Sequence, residues 1–245
     1  MDEALLKVDG LGKRFGGFVA LDGIALEVRA GERVGLIGPN GSGKSTLVNC
    51  ISGNLKNETG TVHFEGAALD GLPAYRRTRL GLARSFQLPK PFRSLTVTQN
   101  LRIPLLYTVN ARGDTRLSEA DLAARCDDLL RLVGLEGKAR ARPRDLTQIE
   151  MRKLELARTM AAAPKLLIAD EAMAGLSHSE IDDILALLFK LNKGGIAVIL
   201  IEHIMRAVMS FSERLVVLVA GKKIADGAPS EVVNSPEVVR AYLGE

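Results

Sequence analysis

The residues best suited to chemistry lie in one glycine-rich stretch that fits the pattern G-x-x-x-x-G-K-[ST]. Glycines let backbone N–H groups wrap around phosphates, and a helix that starts at such a stretch directs the positive end of its dipole at them. Lysine supplies a point charge for the β- and γ-phosphates, and the hydroxyl after it suits magnesium. The stretch therefore predicts a nucleotide site formed by Gly38, Pro39, Asn40, Gly41, Ser42, Gly43, Lys44, Ser45 and Thr46.

Two acidic residues follow an apolar run further along the chain. Asp170 and Glu171 come directly after Leu166 to Ala169, which is predicted to be a buried strand. Such a pair usually marks only a solvated strand end. Beside a phosphate-binding loop in the same sheet, however, Asp170 is placed to hold the magnesium shell and Glu171 to orient or deprotonate the attacking water. The two segments together predict an ATP hydrolysis site.

A histidine follows a third predicted strand. His203 comes soon after Ala197 to Ile201, so we expect it at the carboxyl edge of the sheet, where open α/β folds bind ligands. A lone histidine is more often structural. This position favours a γ-phosphate contact.

The elements that must position these residues are strands alternating with helices. Four apolar runs are predicted to form a mainly parallel sheet covered by helices: residues 34–38, 166–169, 197–201 and 215–220. Residues 5–8, 25–28 and 61–64 are typical of antiparallel strands, and the middle of the chain is mainly helical. The fold class predicted is α/β: a P-loop NTPase core with an N-terminal antiparallel β subdomain and an inserted helical subdomain. We expect one domain, 1–245, with the core in about 1–88 and 164–245 and the helical subdomain in about 89–163.

Composition narrows the function classes. The chain has 245 residues, a net charge of +4 and no tryptophan, which argues against aromatic stacking on single-stranded nucleic acid. Its apolar runs are far shorter than the ~20 residues of a membrane span. Cys50 and Cys126 flank no metal-ligand pattern and are predicted to be reduced. With no signal peptide visible, we expect a cytoplasmic protein whose membrane attachment runs through partners.

The ordered set of motifs resembles the ATP-binding subunits of ABC transporters over nearly the whole chain. Besides the phosphate loop, the resemblance rests on these segments: Arg84-Ser85-Phe86-Gln87, Leu146-Thr147, Leu154 to Arg158, Asp170-Glu171, Ala174-Gly175-Leu176 and Ile201-Glu202-His203. Within that superfamily the chain is most similar to the branched-chain amino-acid importer type. Residues 13–17 and the C-terminal segment 239–245 carry the closer likeness.

The resemblance implies roles for residues that spacing alone does not. Phe15 would stack on adenine, and Gln87 would bridge magnesium, the attacking water and the interface with the membrane subunit. Ala174 to Ser177 would meet a second ATPase subunit across a head-to-tail dimer. It also implies ATP and Mg²⁺ as cofactors, two permease subunits and, indirectly, an extracytoplasmic substrate-binding protein. The chain would lie peripherally on the inner face of the membrane, and no nucleic-acid partner is expected.

The signature motif departs from the family pattern. The signature usually reads Leu-Ser-x-Gly-Gln, whereas here it is Leu146-Thr147-Gln148-Ile149-Glu150. Glu150 would form a capping box with Thr147, and its charge would repel a facing phosphate by at most about 4 kcal/mol at 4 Å. We hypothesise an asymmetric, heterodimeric ATPase pair in which this chain completes the weaker site. The alternative is that the helix start shifts slightly and the subfamily tolerates the change.

Three functions are compatible with these sequence features. The leading one is the energy-coupling ATPase of an importer for branched-chain or other hydrophobic amino acids or related compounds. A soluble, non-transport ABC ATPase is disfavoured by the single nucleotide domain and the importer likeness. A nucleotide-binding regulatory subunit with little turnover is suggested by the altered signature and opposed by Glu171 and His203.

Overall fold

The computed structural model describes residues 4–86, 89–112 and 116–243. Its strands form two sheets. In chain order they are β1 (Leu6–Phe15), β2 (Phe18–Val28), β3 (Arg33–Ile37), β4 (Thr59–Phe64), β5 (Ala67–Ala68), β6 (Leu82–Ser85), β7 (Leu166–Asp170), β8 (Ala197–Ile201), β9 (Arg214–Val219) and β10 (Lys222–Gly227).

Helices cover the sheets and fill the middle of the chain. In chain order they are α1 (Lys44–Ser52), α2 (Ala74–Leu80), α3 (Val97–Pro104), α4 (Glu119–Val133), α5 (Gln148–Ala161), α6 (His178–Lys193), α7 (Met205–Phe211), α8 (Pro229–Val233) and α9 (Pro236–Leu243). A π-helical turn, Leu105–Val109, continues α3, and two short 3₁₀ turns, Glu136–Lys138 and Pro143–Asp145, precede α5.

The larger sheet carries the predicted site at one edge. Its strand order is β10-β9-β3-β8-β7-β6, with β10 antiparallel to β9 and the other strands parallel. All residues of β7 and β8 are buried, as expected for parallel strands covered on both faces. The α/β prediction is therefore confirmed. The sequence reading did not assign β6, which is only four residues long, or β10, whose residues are partly exposed.

The smaller sheet is antiparallel, with strand order β2-β1-β4-β5. β1 pairs with β2 on one side and β4 on the other, and Leu6 lies opposite Val28 and Phe64. Alternate residues of β1 and β2 point into the core. The predicted strands are antiparallel as expected but longer than predicted. The strand predicted at residues 5–8, for example, continues through register shifts to Phe15 as β1. That extension brings Phe15 to the phosphate loop.

The segment between β6 and β7 is mainly helical, as predicted. Leu122, Cys126 and Leu130 of α4 are buried against α3 and α5 in one apolar cluster. Ser118 caps α4 through a reciprocal capping box with Asp121. Among the described residues, none of the helices is both long and apolar enough to cross a membrane.

Both cysteines should resist thiol reagents in the folded protein. Cys50 and Cys126 are fully buried, and burial raises the pKa of Cys50 to about 11 and raises that of Cys126 as well. At pH 8 the thiolate fraction of Cys50 should be on the order of 10⁻³. Titration with Ellman's reagent should therefore be slow until denaturant is added. Rapid labelling of the native protein would contradict this prediction.

Candidate functional site

The phosphate loop turns sharply between β3 and α1. Gly43 precedes α1 with φ 104°, a conformation in which side chains are strained. A Cβ at this position would also lie 2.7 Å from the carbonyl oxygen of Ala20 on β2. Glycine is thus required here both by the backbone angle and by the close approach of the neighbouring sheet.

Lys44 lies inside the loop that precedes it. Its ammonium donates to the carbonyl oxygens of Gly38 at 2.7 Å and Pro39 at 3.0 Å, and to the Ser42 hydroxyl at 3.4 Å. Burial lowers the pKa of Lys44, while the carboxylates of Glu171 and Asp170 act in the opposite direction. The side chain is a buried cation held by neutral oxygen atoms that a phosphate group can replace.

A cavity of about 240 Å³ lies over the loop. Phe15 and Phe18 form one part of its wall, and both rings are half or more exposed. Glu171 and His203 contribute another part. The loop residues that line it are Asn40, Gly41, Ser42, Gly43, Lys44, Ser45 and Thr46. The cavity thus has exposed aromatic rings on one side and the Lys44 ammonium and the Glu171 carboxylate on the other.

Asp170 is held by an arginine. It is the last residue of β7 and is 7% exposed, and its Oδ2 accepts from Arg84 Nη2 at 2.6 Å. Arg84 lies on the adjacent strand β6, where it pairs with Ile168 of β7 in parallel register. Asp170 therefore has one carboxylate oxygen in a buried ion pair.

Glu171 adopts an uncommon backbone conformation next to His203. Its φ is 48°, in the left-handed region that non-glycine residues rarely occupy. The Glu171 N–H donates to the carbonyl of Ile201 at 2.9 Å, which ties the end of β7 to the end of β8. His203 Nε2 lies 3.1 Å from Glu171 Oε1. Glu65, Ala163 and Ala220 also have positive φ, so the contact with His203, and not the backbone angle, points to this pair.

A third acid lies beneath that pair. Glu202 is 3% exposed, and its carboxylate accepts from the Met173 N–H at 2.8 Å. Burial raises the pKa of Glu202; the Met173 hydrogen bond lowers it and the nearby charge of Glu171 raises it further. Glu202 thus joins the turn before His203 to the loop that follows Glu171.

Thr147 caps the start of α5 through a capping box with Glu150, as the sequence predicts. Thr147 Oγ1 accepts from the Glu150 N–H at 3.3 Å, and Glu150 Oε2 accepts from the Thr147 N–H at 2.8 Å. The sequence did not indicate a further contact: Lys138 Nζ lies 3.3 Å from Glu150 Oε1. The Thr147 N–H bond is the main cause that lowers the pKa of Glu150. Lys138 offsets part of the negative charge that the capping box introduces.

The sequence predicts a solvated loop for the basic stretch Lys138 to Arg144, and Arg140, Arg142 and Arg144 are indeed exposed. Its two ends lie in the 3₁₀ turns, and Pro143 is buried. Lys138 forms an ion pair with Glu150. Lys138 and Pro143 therefore depart from the predicted solvated loop.

The start of α5 also contacts the loop after Glu171. Gln148 Nε2 and Arg152 Nη2 donate to the Ala174 carbonyl at 3.3 and 3.2 Å. Gly175 has φ 78°, and a Cβ there would lie 2.6 Å from Gln148 Nε2. The signature helix and the 174–177 loop of the same chain are therefore in direct contact.

Most predicted site residues meet at the carboxyl edge of the larger sheet. The cavity brings together Phe15, Lys44, Ser45, Glu171 and His203. Asp170 lies at the end of β7 beside them, and Gly38 and Pro39 hold the Lys44 ammonium. Gln87 lies outside the described residues. Sequence reasoning missed Arg84, Lys138, Arg152 and Glu202 as contacts of the site. Arg84 could have been noticed as a charged residue within the short strand β6.

A phosphate loop, an Asp-Glu pair at the end of one parallel strand and a histidine just after the neighbouring strand define a P-loop NTPase. A profile described as "ABC transporter" matches residues 21–174, and one described as "Branched-chain amino acid ATP-binding cassette transporter" matches residues 222–245. The chain belongs to the ABC transporter ATP-binding family. Proteins of this family are nucleotide-binding ATPases whose activity is coupled to transport, and so is this chain.

Relatives match over the full chain. The "High-affinity branched-chain amino acid transport ATP-binding protein LivG" of Salmonella typhimurium is 37% identical, and BraF of Pseudomonas aeruginosa, which carries the same description, is 36% identical; each comparison covers 100% of both chains. Among solved structures, an ATP-binding cassette of an ABC transporter in its ADP conformation is 31% identical with a TM-score of 0.88, covering 99% of this chain and 100% of that one. A nucleotide-free cassette is similar, at 30% identity and the same TM-score and coverage.

Proposed function

We propose that this chain is the ATP-hydrolysing subunit of an importer for branched-chain or other hydrophobic amino acids or related compounds. The observation that carries the proposal is the agreement of two separate matches. The C-terminal 24 residues fit a branched-chain transporter profile, and the whole chain matches LivG and BraF. The C-terminal match disfavours a soluble, non-transport ABC ATPase.

Nucleotide binding would rest on the loop and on one aromatic ring. Phe15 is 50% exposed at the wall of the cavity, which suits stacking on adenine. The backbone of Gly38 to Gly43 and the residues Ser45 and Thr46 would hold the phosphates. Lys44 would exchange its carbonyl partners for β- and γ-phosphate oxygens.

A magnesium ion would be held by Ser45, Asp170 and Gln87. The donor set fits, since hydroxyl, carboxylate and amide oxygens are ligands that Mg²⁺ accepts. No cluster of three metal-ligating His, Cys, Asp or Glu side chains occurs among residues 4–86, 89–112 and 116–243. That agrees with an ion that takes its remaining ligands from phosphate and water. When bound, Mg²⁺ neutralises charge on the β- and γ-phosphates.

For hydrolysis we assign Glu171 as the general base, which would take a proton from the attacking water at a carboxylate oxygen. His203, 3.1 Å from Glu171 Oε1, would contact the γ-phosphate and hold the carboxylate in place. Lys44 would stabilise charge on the phosphate oxygens, and Gln87 would orient the water. The contact with His203 and the place of Glu171 on the cavity wall support the assignment.

Two permease subunits would dock beside the helical segment. A cavity of about 320 Å³ lies between β6, α3 and α5, with Phe86, Phe92 and Tyr107 exposed along it. Arg158 donates to the Lys90 carbonyl at 3.0 Å and lies 5.4 Å from the Phe92 ring. These contacts link α5 to the segment after Gln87. The chain would thus be held at the inner face of the membrane, with a substrate-binding protein acting on the far side.

A second ATPase subunit would complete the site, and we favour a heterodimer. The capping box of Thr147 and Glu150 occupies the N–H donors that a signature segment would direct at the partner's nucleotide. The phosphate loop, Glu171 and His203 of this chain retain the residues needed for hydrolysis. This chain would therefore supply the active site and a weaker signature.

Transport can be tested in the native host. Deletion of the gene should abolish high-affinity uptake of radiolabelled leucine, isoleucine and valine. The wild-type gene and Lys7→Ala, which alters an exposed lysine paired with Glu27, should restore uptake, whereas Lys44→Ala should not. Normal uptake of all three amino acids in the deletion strain would refute the proposed substrate class.

A further inference from the structure

A buried arginine joins the end of β7 to the helix after the phosphate loop. Arg84 Nη2 donates to Asp170 Oδ2 and Nη1 donates to Asn49 Oδ1, each at 2.6 Å. The side chains of Arg84 and Asp170 are both only 10% exposed. The Phe86 ring lies 5.3 Å from the guanidinium carbon and covers it. Water therefore competes little for these bonds.

The arginine spans the two elements that present the magnesium ligands. Asn49 lies four residues after Ser45 on α1, so both side chains share one face of that helix. A guanidinium is planar, and the angle between its two terminal nitrogens is fixed. Hydrogen bonds from both nitrogens consequently set the spacing between this face of α1 and the Asp170 carboxylate.

We propose that Arg84 is a positioning residue for the magnesium site. It holds Asp170 Oδ2, leaves the second carboxylate oxygen for the ion, and fixes the distance from Asp170 to the helix of Ser45. This inference rests on the proposed function of Ser45 and Asp170. Charge alone predicts the opposite effect, because a cation next to the site repels Mg²⁺ and its removal would tighten metal binding.

The sign of the change in Mg²⁺ affinity tests the proposal. Binding of a fluorescent ATP analogue, mant-ATP, is followed at fixed nucleotide while Mg²⁺ is titrated, and again in EDTA. Arg84→Met should raise the Mg²⁺ midpoint by about 10- to 100-fold, the usual cost of losing an outer-shell partner. Binding in EDTA should stay close to wild type. Arg84→Lys keeps the charge but cannot span both acceptors, so its midpoint should rise too.

Arg33 offers a matched control away from the site. It is a partly buried arginine that pairs with Glu213 at 2.6 Å and donates to Asn192 at 3.0 Å. Arg33→Met should lower the melting temperature without moving the Mg²⁺ midpoint. An unchanged or lower midpoint for Arg84→Met would show that Arg84 serves only the fold and would overturn the proposal.

A milder variant covers the case in which Arg84→Met does not fold. Asn49→Ala removes only the acceptor on α1 and should raise the midpoint in the same direction, by less. No rise in this variant would also overturn the proposal. Failure of the wild-type chain to bind mant-ATP with Mg²⁺ would instead refute the proposed nucleotide site, so the two failures are distinguishable.

Discussion

Glu171→Gln should lower ATP turnover by about 10²- to 10⁴-fold, the usual contribution of a general base. Glutamine has nearly the same shape but cannot accept the proton of the attacking water. The left-handed backbone and the hydrogen bond to Ile201 remain possible for glutamine, so nucleotide binding should persist. Phosphate release by the assembled ATPase pair measures the loss, and mant-ATP fluorescence measures the retained binding.

Glu65 provides the control for this substitution. It is a second glutamate with positive φ, 49°, and its carboxylate pairs with Lys165 outside the site. Glu65→Gln should leave turnover nearly unchanged. The proposed asymmetric pair predicts that the corresponding change in the partner subunit has the smaller effect. If the partner's glutamate controlled turnover instead, Glu171 would belong to the weaker site.

The sequence predicts the buried strands of the larger sheet but not the backbone conformation of Glu171. Apolar runs bounded by glycine and acidic residues predicted β3, β7 and β8 closely, because parallel strands buried on both faces are short and continuously apolar. The positions of Lys44, Asp170 and His203 at one sheet edge follow from that topology. No local pattern reveals that Glu171 has positive φ, because this conformation depends on the bond to β8.

Contacts between segments distant in sequence were beyond prediction for the same reason. Arg84 and Asp170 are 86 residues apart, and they meet because the short strand β6 pairs with β7. Four residues with a charged member carry little periodic signal. The sequence predicts a solvated loop at Lys138, whereas Lys138 ends a 3₁₀ turn and lies 3.3 Å from Glu150. Charged residues acquire their partners from tertiary structure, which one sequence does not display.

The double change Ile149→Gly with Glu150→Gln should raise the ATPase activity of the purified chain by about 10- to 100-fold, since a hydrogen bond to a charged group contributes about 1.5–3 kcal/mol. Glycine removes the Cβ that keeps the α5 backbone from a facing phosphate, and glutamine removes the charge of Glu150. Ile149 also packs against the helical cluster, so some stability should be lost. Steady-state phosphate release, with thermal unfolding measured in parallel, tests the prediction.

Lys138 separates the effect of charge from that of backbone access. Lys138→Gln leaves Glu150 in its capping box but removes the cation 3.3 Å away. The wild-type chain alone should hydrolyse ATP slowly, and this variant should be slower still, by a small factor because the pair is partly exposed. Adding Glu171→Gln to the double variant Ile149→Gly, Glu150→Gln should abolish the gained activity. That loss would show that the gain arises at the ATP site that contains Glu171. Brisk hydrolysis by the purified wild-type chain would refute the proposed asymmetric pair, because the segment Leu146 to Glu150 would then already complete an active site.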